Sequence, residues 1–178
     1  AVYPNLEEIK KYTGALKPLN FIAVAEDLKR KGLLHKAKAY TMSSGKLAAI
    51  LYKEELERAL KTPGISGYQL LDLHDFPGQG TALVGLLDAF WDSKNILSAA
   101  EFRQFCAPVV PLLQFSKAVY TNDEVFEGIL DISNYGAATL RDQLVEWSMK
   151  DGTKTIAKGH FQTVVGQGYN GNVGCFEV

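Results

Sequence analysis

Four side chains that could bind a ligand lie between a short apolar run and a glycine-rich turn, in the segment GYQLLDLHDFPGQG. They are His74, Asp75, Phe76 and Gln79. Imidazole, carboxylate and amide groups can hydrogen-bond a polyhydroxylated ligand, and an aromatic ring can stack on it. A structural interpretation is equally open, in which His74 and Asp75 anchor the loop and cap a helix that begins near Thr81.

The sequence does not supply a complete catalytic site. No Ser or Cys lies in a nucleophile elbow of the G-x-S-x-G kind. Glu54, Glu55 and Glu57 lie together on one predicted helix, where neighbours point apart, so a solvated helix face is favoured over an acid/base pair. His35 and His160 have no partners in metal-type spacing. We therefore predict no catalytic residue, no metal and no cofactor.

Two glycine-rich segments invite a nucleotide interpretation, and both fail. After residues 78–80 a dinucleotide fingerprint would need a small residue where Leu83 stands, and no Walker Lys follows. Residues 166–171 match G-x-G-x-x-G but lie between predicted strands and open no helix. The second segment is predicted to be a turn-rich loop.

Composition limits the classes of partner. The chain has 178 residues, a net charge of −1 and 47% hydrophobic residues, which is typical of a globular protein and argues against nucleic-acid binding. No apolar run is long enough for membrane insertion. Cys106 and Cys175 leave one disulfide and two free thiols equally open. The chain starts at Ala1 without an initiating Met, which suggests a processed product or an excised fragment.

Apolar periodicity predicts helices first and strands later. Leu47, Ile50 and Leu51 are expected to face inward from a helix over 46–61, and Ser98 with Glu101 forms a capping box. Residues 68–73 are predicted as a strand. A helix from about Thr81 is predicted to bury the apolar stripe Leu83, Leu86, Leu87 and Phe90, with Trp91 also more typical of a core residue.

The period changes after Pro108 and Pro111, which are expected to form an extended linker. From about residue 117 the alternation predicts roughly five strands, with a hairpin turn at Asp151-Gly152 and a return strand over 153–163. Such spacing is typical of a β-sandwich, here small or incomplete.

The series YTGALKP, SSGKLAAILYKEELERALKTPG, SGYQLLDLHDFPGQGTALVGLLDAFWDSK and VEWSMKDGTKTIAKG resembles the carboxyl-terminal part of a family 2-type glycoside hydrolase. More narrowly it is similar to the sugar-binding-domain-containing hydrolases of gut Bacteroidetes. The resemblance implies a mixed α+β chain. Residues 1–112 would be the C-terminal portion of a (β/α)8 barrel, with GYQLLDL as its last strand. Residues 113–178 would belong to an immunoglobulin-like β-sandwich.

In that family the nucleophilic Glu immediately precedes the segment that matches Val2-Tyr3-Pro4, and the acid/base Glu lies further upstream. The resemblance therefore implies that this chain is an inactive fragment, and Glu7 and Glu8 are not assigned catalytic roles. It implies carbohydrate and the remainder of the hydrolase as partners, and a periplasmic or secreted parent. Self-association of the fragment through exposed apolar surface is expected. The alternative is a non-catalytic carbohydrate-binding or scaffolding module.

Overall fold

A computed structural model of the chain describes residues 2–80 and 82–178. It is a mixed α+β structure, as predicted, with helices in the first part and antiparallel sheets in the last. Two compact units can be distinguished. The first comprises the described residues up to Glu55 together with Tyr68–Phe102, and the second comprises Leu56–Gly67 and Arg103–Val178. The domain boundary at residue 112 stays a prediction.

The longer helices end close to the local sequence signals, but the helix predicted over 46–61 begins at Ala37, nine residues earlier. A 3-10 helix, Leu6–Lys11, is followed by α1 (Leu19–Arg30), a second 3-10 helix (Leu34–Lys36), α2 (Ala37–Leu60) and α3 (Ala99–Phe102). Gly32 has a φ of 70°, the left-handed conformation that commonly follows a helix end. The Ser98–Glu101 capping box is confirmed, since Ser98 N donates to Glu101 Oε2 at 2.8 Å and Glu101 N donates to Ser98 Oγ at 3.2 Å.

Helix α2 buries a face of small residues, whereas the prediction that its leucine-rich face points inward is wrong. Leu47, Ile50 and Leu51 are 50–59% exposed. The buried positions are Thr41, Gly45 and Ala48 in its first half, and Leu56 and Leu60 near its end. A Cβ at Gly45 would lie 2.5 Å from Cδ1 of Ile96, so the missing side chain allows this close approach. At Gly45 the close approach of Ile96 therefore needs a small residue, whereas the end of α2 buries leucines.

The described residues of 68–98 contain neither the predicted strand nor the predicted helix. The chain is irregular there apart from isolated bridges, in which Leu87 pairs with His74 in parallel and with Ser93 antiparallel. A strand in a parallel sheet needs neighbouring strands on both sides that hydrogen-bond its N–H and C=O groups. Among the described residues, the predicted strand has only this bridge as a neighbour. The predicted helix start at Thr81 lies outside the described residues. Leu83 and Leu86 are nevertheless buried, at 4% and 6% exposure.

The second unit contains five strands in two antiparallel sheets. The strands are β1 (Val109–Gln114), β2 (Glu127–Asn134), β3 (Leu140–Asp151), β4 (Lys154–Val165) and β5 (Gly168–Glu177). One sheet has the order β1-β2-β5, and the other consists of β3 and β4. The hairpin turn at Asp151-Gly152 is confirmed, and Gly152 takes a φ of 56° there.

Two sequence predictions for the second unit need correction. Pro111, expected in a linker, lies within β1, which is an edge strand and therefore tolerates a residue without an N–H. Residues 166–171 are not only a loop, because β5 begins at Gly168. Asn170 holds this junction by accepting a hydrogen bond from Gly166 N at 2.8 Å and donating to Gly166 O at 2.9 Å.

The sheets contact each other through aromatic rings. Trp147 on β3 stacks on Phe176 of β5 with 3.8 Å between ring centroids, and the Phe161 ring covers Gly174 so closely that a Cβ would clash. Leu60, Val110 and Leu112 form a buried apolar cluster in the same unit. Cys106 and Cys175 are not joined in a disulfide.

Candidate functional site

The HDFPGQG segment forms a closed loop that is held by its own backbone. Asp75 N donates to Leu87 O at 3.1 Å, and Leu87 N donates to Leu73 O at 3.0 Å. Across the loop, Phe76 N donates to Ala82 O at 2.8 Å, and Ala82 N donates to Gln79 O at 3.0 Å. These bonds satisfy backbone groups that an irregular segment would otherwise leave unpaired. The loop therefore has a defined shape although it belongs to no strand or helix.

Asp75 fixes this loop from inside the first unit. Its side chain is fully buried, and Oδ1 accepts a hydrogen bond from Lys94 Nζ at 2.7 Å and another from Gly85 N at 2.9 Å. The Lys94 side chain is also fully buried. A buried charge is tolerated only with a close partner, so the two side chains hold residues 75, 85 and 94 together.

Gly85 allows the chain to pass directly against the loop. A Cβ at this position would lie 2.4 Å from the carbonyl carbon of His74 and 2.7 Å from Asp75 N. Both are backbone atoms, which cannot turn aside as a flexible side chain could. Only glycine fits here, and its N–H is consequently free to reach the Asp75 carboxylate.

Glu8 adds a second carboxyl group to the buried cluster. It is fully buried, and Ala89 N approaches Oε2 at 3.4 Å. Burial, followed by hydrogen bonding to Asp75 and the negative charge of Asp75, raises the pKa of Glu8 to about 8. Among the described residues, Glu8 Oε1 and Asp75 Oδ2 are buried without a further hydrogen-bond partner. The raised pKa favours the protonated form of Glu8 near neutral pH, and that proton can be donated to Asp75.

The other predicted ligand-binding residues are more accessible than Asp75. Phe76 is 52% exposed and its ring lies over Gly78, and Gln79 is exposed at the loop tip. His74 is half-buried, and its Nδ1 lies 2.6 Å from the carbonyl oxygen of Asp75. The structure thus brings His74, Phe76 and Gln79 to the accessible part of the loop, while Asp75 lies beneath it.

The aromatic residues after the loop are not core residues, contrary to the sequence prediction. Trp91 is 62% exposed and Phe90 is 42% exposed. The Trp91 and His74 ring centroids are 4.4 Å apart, which places an exposed indole beside the predicted site. The expectation of burial rested on a helical spacing, and the chain is not helical there.

Sequence reasoning missed Lys94 and Gly85, and it gave Glu8 no role. Glu8 and Lys94 lie far along the chain from Asp75, and glycine is a residue type with many other uses. No local spacing therefore connects these residues to Asp75. The available signal was a Gly inside the apolar run 82–87 and a Lys shortly after it. Their roles depend on contacts between residues that the fold alone brings together.

No group of three or more His, Cys, Asp or Glu residues could hold a metal ion in the part of the chain that the structure describes. Within the same residues, no helix combines the length and the apolar character needed to cross a membrane. No family model matches the chain, and no curated protein matches it either.

Proposed function

We propose that the chain is the C-terminal part of a retaining glycoside hydrolase of the family 2 type, in which the HDFPGQG loop forms one wall of the sugar site. His74, Phe76 and Gln79 contact the sugar in this proposal. Asp75 acts from beneath the loop by fixing its shape. The parent enzyme would use two carboxylates about 5 Å apart that lie upstream of the matched segment.

The observation that carries the proposal is the rigid support of the loop. Asp75 binds both Lys94 and Gly85 in the interior, while Phe76 and Gln79 remain exposed above it. A recognition loop must hold its side chains in place before the ligand arrives, because ordering them on binding would reduce affinity. An aromatic ring beside an amide is a combination suited to the apolar face and the hydroxyls of a sugar.

The same proposal assigns the two parts of the chain to a barrel and a sandwich. Residues 68–73 would complete a (β/α)8 barrel when the other strands are present, and the parallel bridge of His74 with Leu87 is compatible with that. Residues from 113 onward would belong to an immunoglobulin-like sandwich. The stacking of Trp147 on Phe176 between the two antiparallel sheets supports this assignment.

A binding module without catalysis is the second candidate, and the burial of the carboxyl groups favours it. Glu8, Asp75 and Asp88 are all at most 2% exposed, and each contacts other groups of the first unit. None of these three can reach a glycosidic oxygen in this conformation. These three carboxyl groups therefore support the loop from the interior and are not accessible to a sugar.

Hydrolysis of aryl glycosides distinguishes the two candidates. The 178-residue chain and the same chain joined to its upstream reading frame would be assayed in parallel. We expect activity only in the longer protein. The double variant Phe76→Ala with Gln79→Ala should lower kcat/KM in that protein, whereas Lys29→Ala on the exposed side of α1 should leave it unchanged.

Two results would contradict the hydrolase proposal. Activity of the 178-residue chain by itself would show that the chain contains its own catalytic residues. Absence of activity in both proteins, together with sugar binding by the chain, would favour the binding module.

A further inference from the structure

Trp91 is held in a backbone conformation that a large aromatic residue rarely adopts. Its φ is 68°, in the left-handed region, where glycine and asparagine are the usual residues. The side chain gains little burial in return, since it is 62% exposed. Neither packing nor backbone preference accounts for a tryptophan here. Such conformations persist where the surrounding structure enforces them, and they concentrate at functional sites.

Asp88 enforces the turn that contains Trp91. The Asp88 carboxylate is almost fully buried, and its Oδ1 accepts hydrogen bonds from Phe90 N at 2.8 Å and Asp92 N at 3.0 Å. Trp91 N donates to Asp88 O at 3.0 Å, and Lys11 pairs with the carboxylates of both Asp88 and Asp92. The indole is therefore presented by a turn with several independent restraints.

His74 lies against the indole and has a fixed hydrogen-bonding role. The two ring centroids are 4.4 Å apart, with 39° between the ring planes. His74 Nδ1 lies 2.6 Å from the carbonyl oxygen of Asp75, and because a carbonyl only accepts, Nδ1 carries the hydrogen. In the neutral ring, Nε2 then has a lone pair to offer. Asp75 is itself fixed by Lys94 and Gly85, so the imidazole cannot easily turn.

We propose that Trp91 and His74 form a platform that binds one pyranose ring, with the sugar stacked on the indole and a hydroxyl donating to His74 Nε2. This inference rests on the proposed sugar-binding function and adds a residue outside the loop. A pyranose has a face of C–H groups and a rim of hydroxyls, and the largely exposed indole offers an aromatic surface with the imidazole of His74 packed against it. Because the restrained turn already holds the indole, little entropy is lost on binding.

Nuclear magnetic resonance of the 15N-labelled chain tests the platform with an internal control. The chain has two tryptophans, and Trp147 lies in the other unit against Phe176. Methyl β-D-glucopyranoside, galactopyranoside and mannopyranoside would be titrated separately while both indole N–H signals are followed. We expect the Trp91 signal to shift saturably with at least one sugar while the Trp147 signal stays in place.

Variants then separate stacking from folding. Trp91→Ala should weaken binding about three- to tenfold, the range of a lost aromatic stack, and Trp91→Tyr should retain most of it. His74→Phe should keep the stack but remove the acceptor, and so also weaken binding. An unchanged spectrum for the rest of the chain shows that each variant is folded. If the Trp91 signal does not move with any of the three sugars, or if Trp91→Ala binds as well as the original chain, the platform is wrong.

The variants distinguish a failure of the platform from a failure of the proposed function. Loss of binding in Phe76→Ala with Gln79→Ala, but not in Trp91→Ala, would support the loop and overturn the platform. Loss in Trp91→Ala alone would support the platform and remove Phe76 and Gln79 from the sugar site.

Discussion

Lys94 Nζ lies 2.7 Å from Asp75 Oδ1, and neither side chain is exposed to solvent. The two residues are 19 positions apart. Asp75 also binds Gly85 N and interacts with Glu8, so one carboxylate connects three separate stretches of the chain. Together with the backbone hydrogen bonds of the loop, this ion pair gives an irregular segment a fixed shape.

Removing Lys94 should destabilise the chain strongly. Lys94→Met leaves the Asp75 charge buried without its cation, which typically costs about 3–5 kcal/mol. Urea unfolding followed by circular dichroism would measure the free energy of unfolding. The matched control is Lys10→Met, because Lys10 pairs with Glu7 at the surface and both side chains are about 75% exposed. That change should cost no more than about 1 kcal/mol. Equal effects of the two substitutions would contradict the prediction.

The stability of the chain should fall between pH 4.5 and pH 8 because of Glu8. An unfolded Glu8 loses its proton near its ordinary pKa of 4.5, whereas in the folded chain burial and Asp75 raise that pKa to about 8. The folded state then holds the extra proton, so rising pH favours unfolding, by up to about 1.4 kcal/mol per pH unit.

Glu8→Gln should remove this pH dependence. The amide is neutral at every pH and can still donate to Asp75. We therefore expect the free energy of unfolding of Glu8→Gln to exceed that of the original chain by a margin that grows from pH 4.5 to pH 8. Glu7→Gln is the control, since Glu7 is 74% exposed. Parallel stability profiles for Glu8→Gln and the original chain would show that Glu8 is ionised when folded.

Two glycines of the same segment should respond differently to alanine. Gly85→Ala places a Cβ 2.4 Å from the His74 backbone, and the loop must move to admit it, at a typical cost of about 1–3 kcal/mol. Gly80→Ala meets nothing within 4 Å and its φ is not in the left-handed region, so its stability should be unchanged or slightly higher. Thermal unfolding would compare them, and similar melting temperatures would count against the close approach at Gly85.

Phe21 and Trp91 should contribute very differently to stability although both are large aromatic residues. Phe21 on α1 is fully buried, and Phe21→Ala should cost about 3–5 kcal/mol. Trp91→Asn loses an exposed ring but gains a residue that tolerates the left-handed φ of 68°, so we expect a change within about 1 kcal/mol. Urea unfolding measures both. A large loss for Trp91→Asn would mean that the indole serves packing.

The chain should self-associate through its exposed apolar residues. Leu47, Ile50 and Leu51 form a stripe on α2 at 50–59% exposure, which is a large apolar surface to leave in water. Light scattering should give an apparent mass that rises with concentration, and Ile50→Glu with Leu51→Lys should reduce it. A monodisperse monomer at all concentrations would contradict this prediction.

Local signals in the sequence predicted the element ends well. The Ser98–Glu101 box, the Asp151-Gly152 turn and the end of α2 before Thr62-Pro63-Gly64 all lie where expected. Each depends on hydrogen bonds or φ angles within a few residues, which neighbouring residue types determine. Predictions about which face is buried were less successful, as Leu47 on α2 and Trp91 in its turn show.

The candidate site was predicted as a set of residues but not as an arrangement. The sequence placed His74, Asp75, Phe76 and Gln79 in one loop, and they do lie there. It could not assign Asp75 to the interior, because that position depends on Lys94 and on the space left at Gly85. It could not identify Glu8 as neutral, since its pKa depends on burial and on a carboxylate far along the chain.

The sequence by itself determined the mixed α+β class, the change from helices to strands, the turns and the residue types available to the loop. These follow from backbone preferences and short-range hydrogen bonds. Only the tertiary structure decided that residues 82–98 are irregular, that Asp75 is a buried support and that Trp91 is exposed beside His74. The physical reason is that burial and charge pairing are properties of distant residues in contact, and these contacts can outweigh the local preference for a helix or a strand.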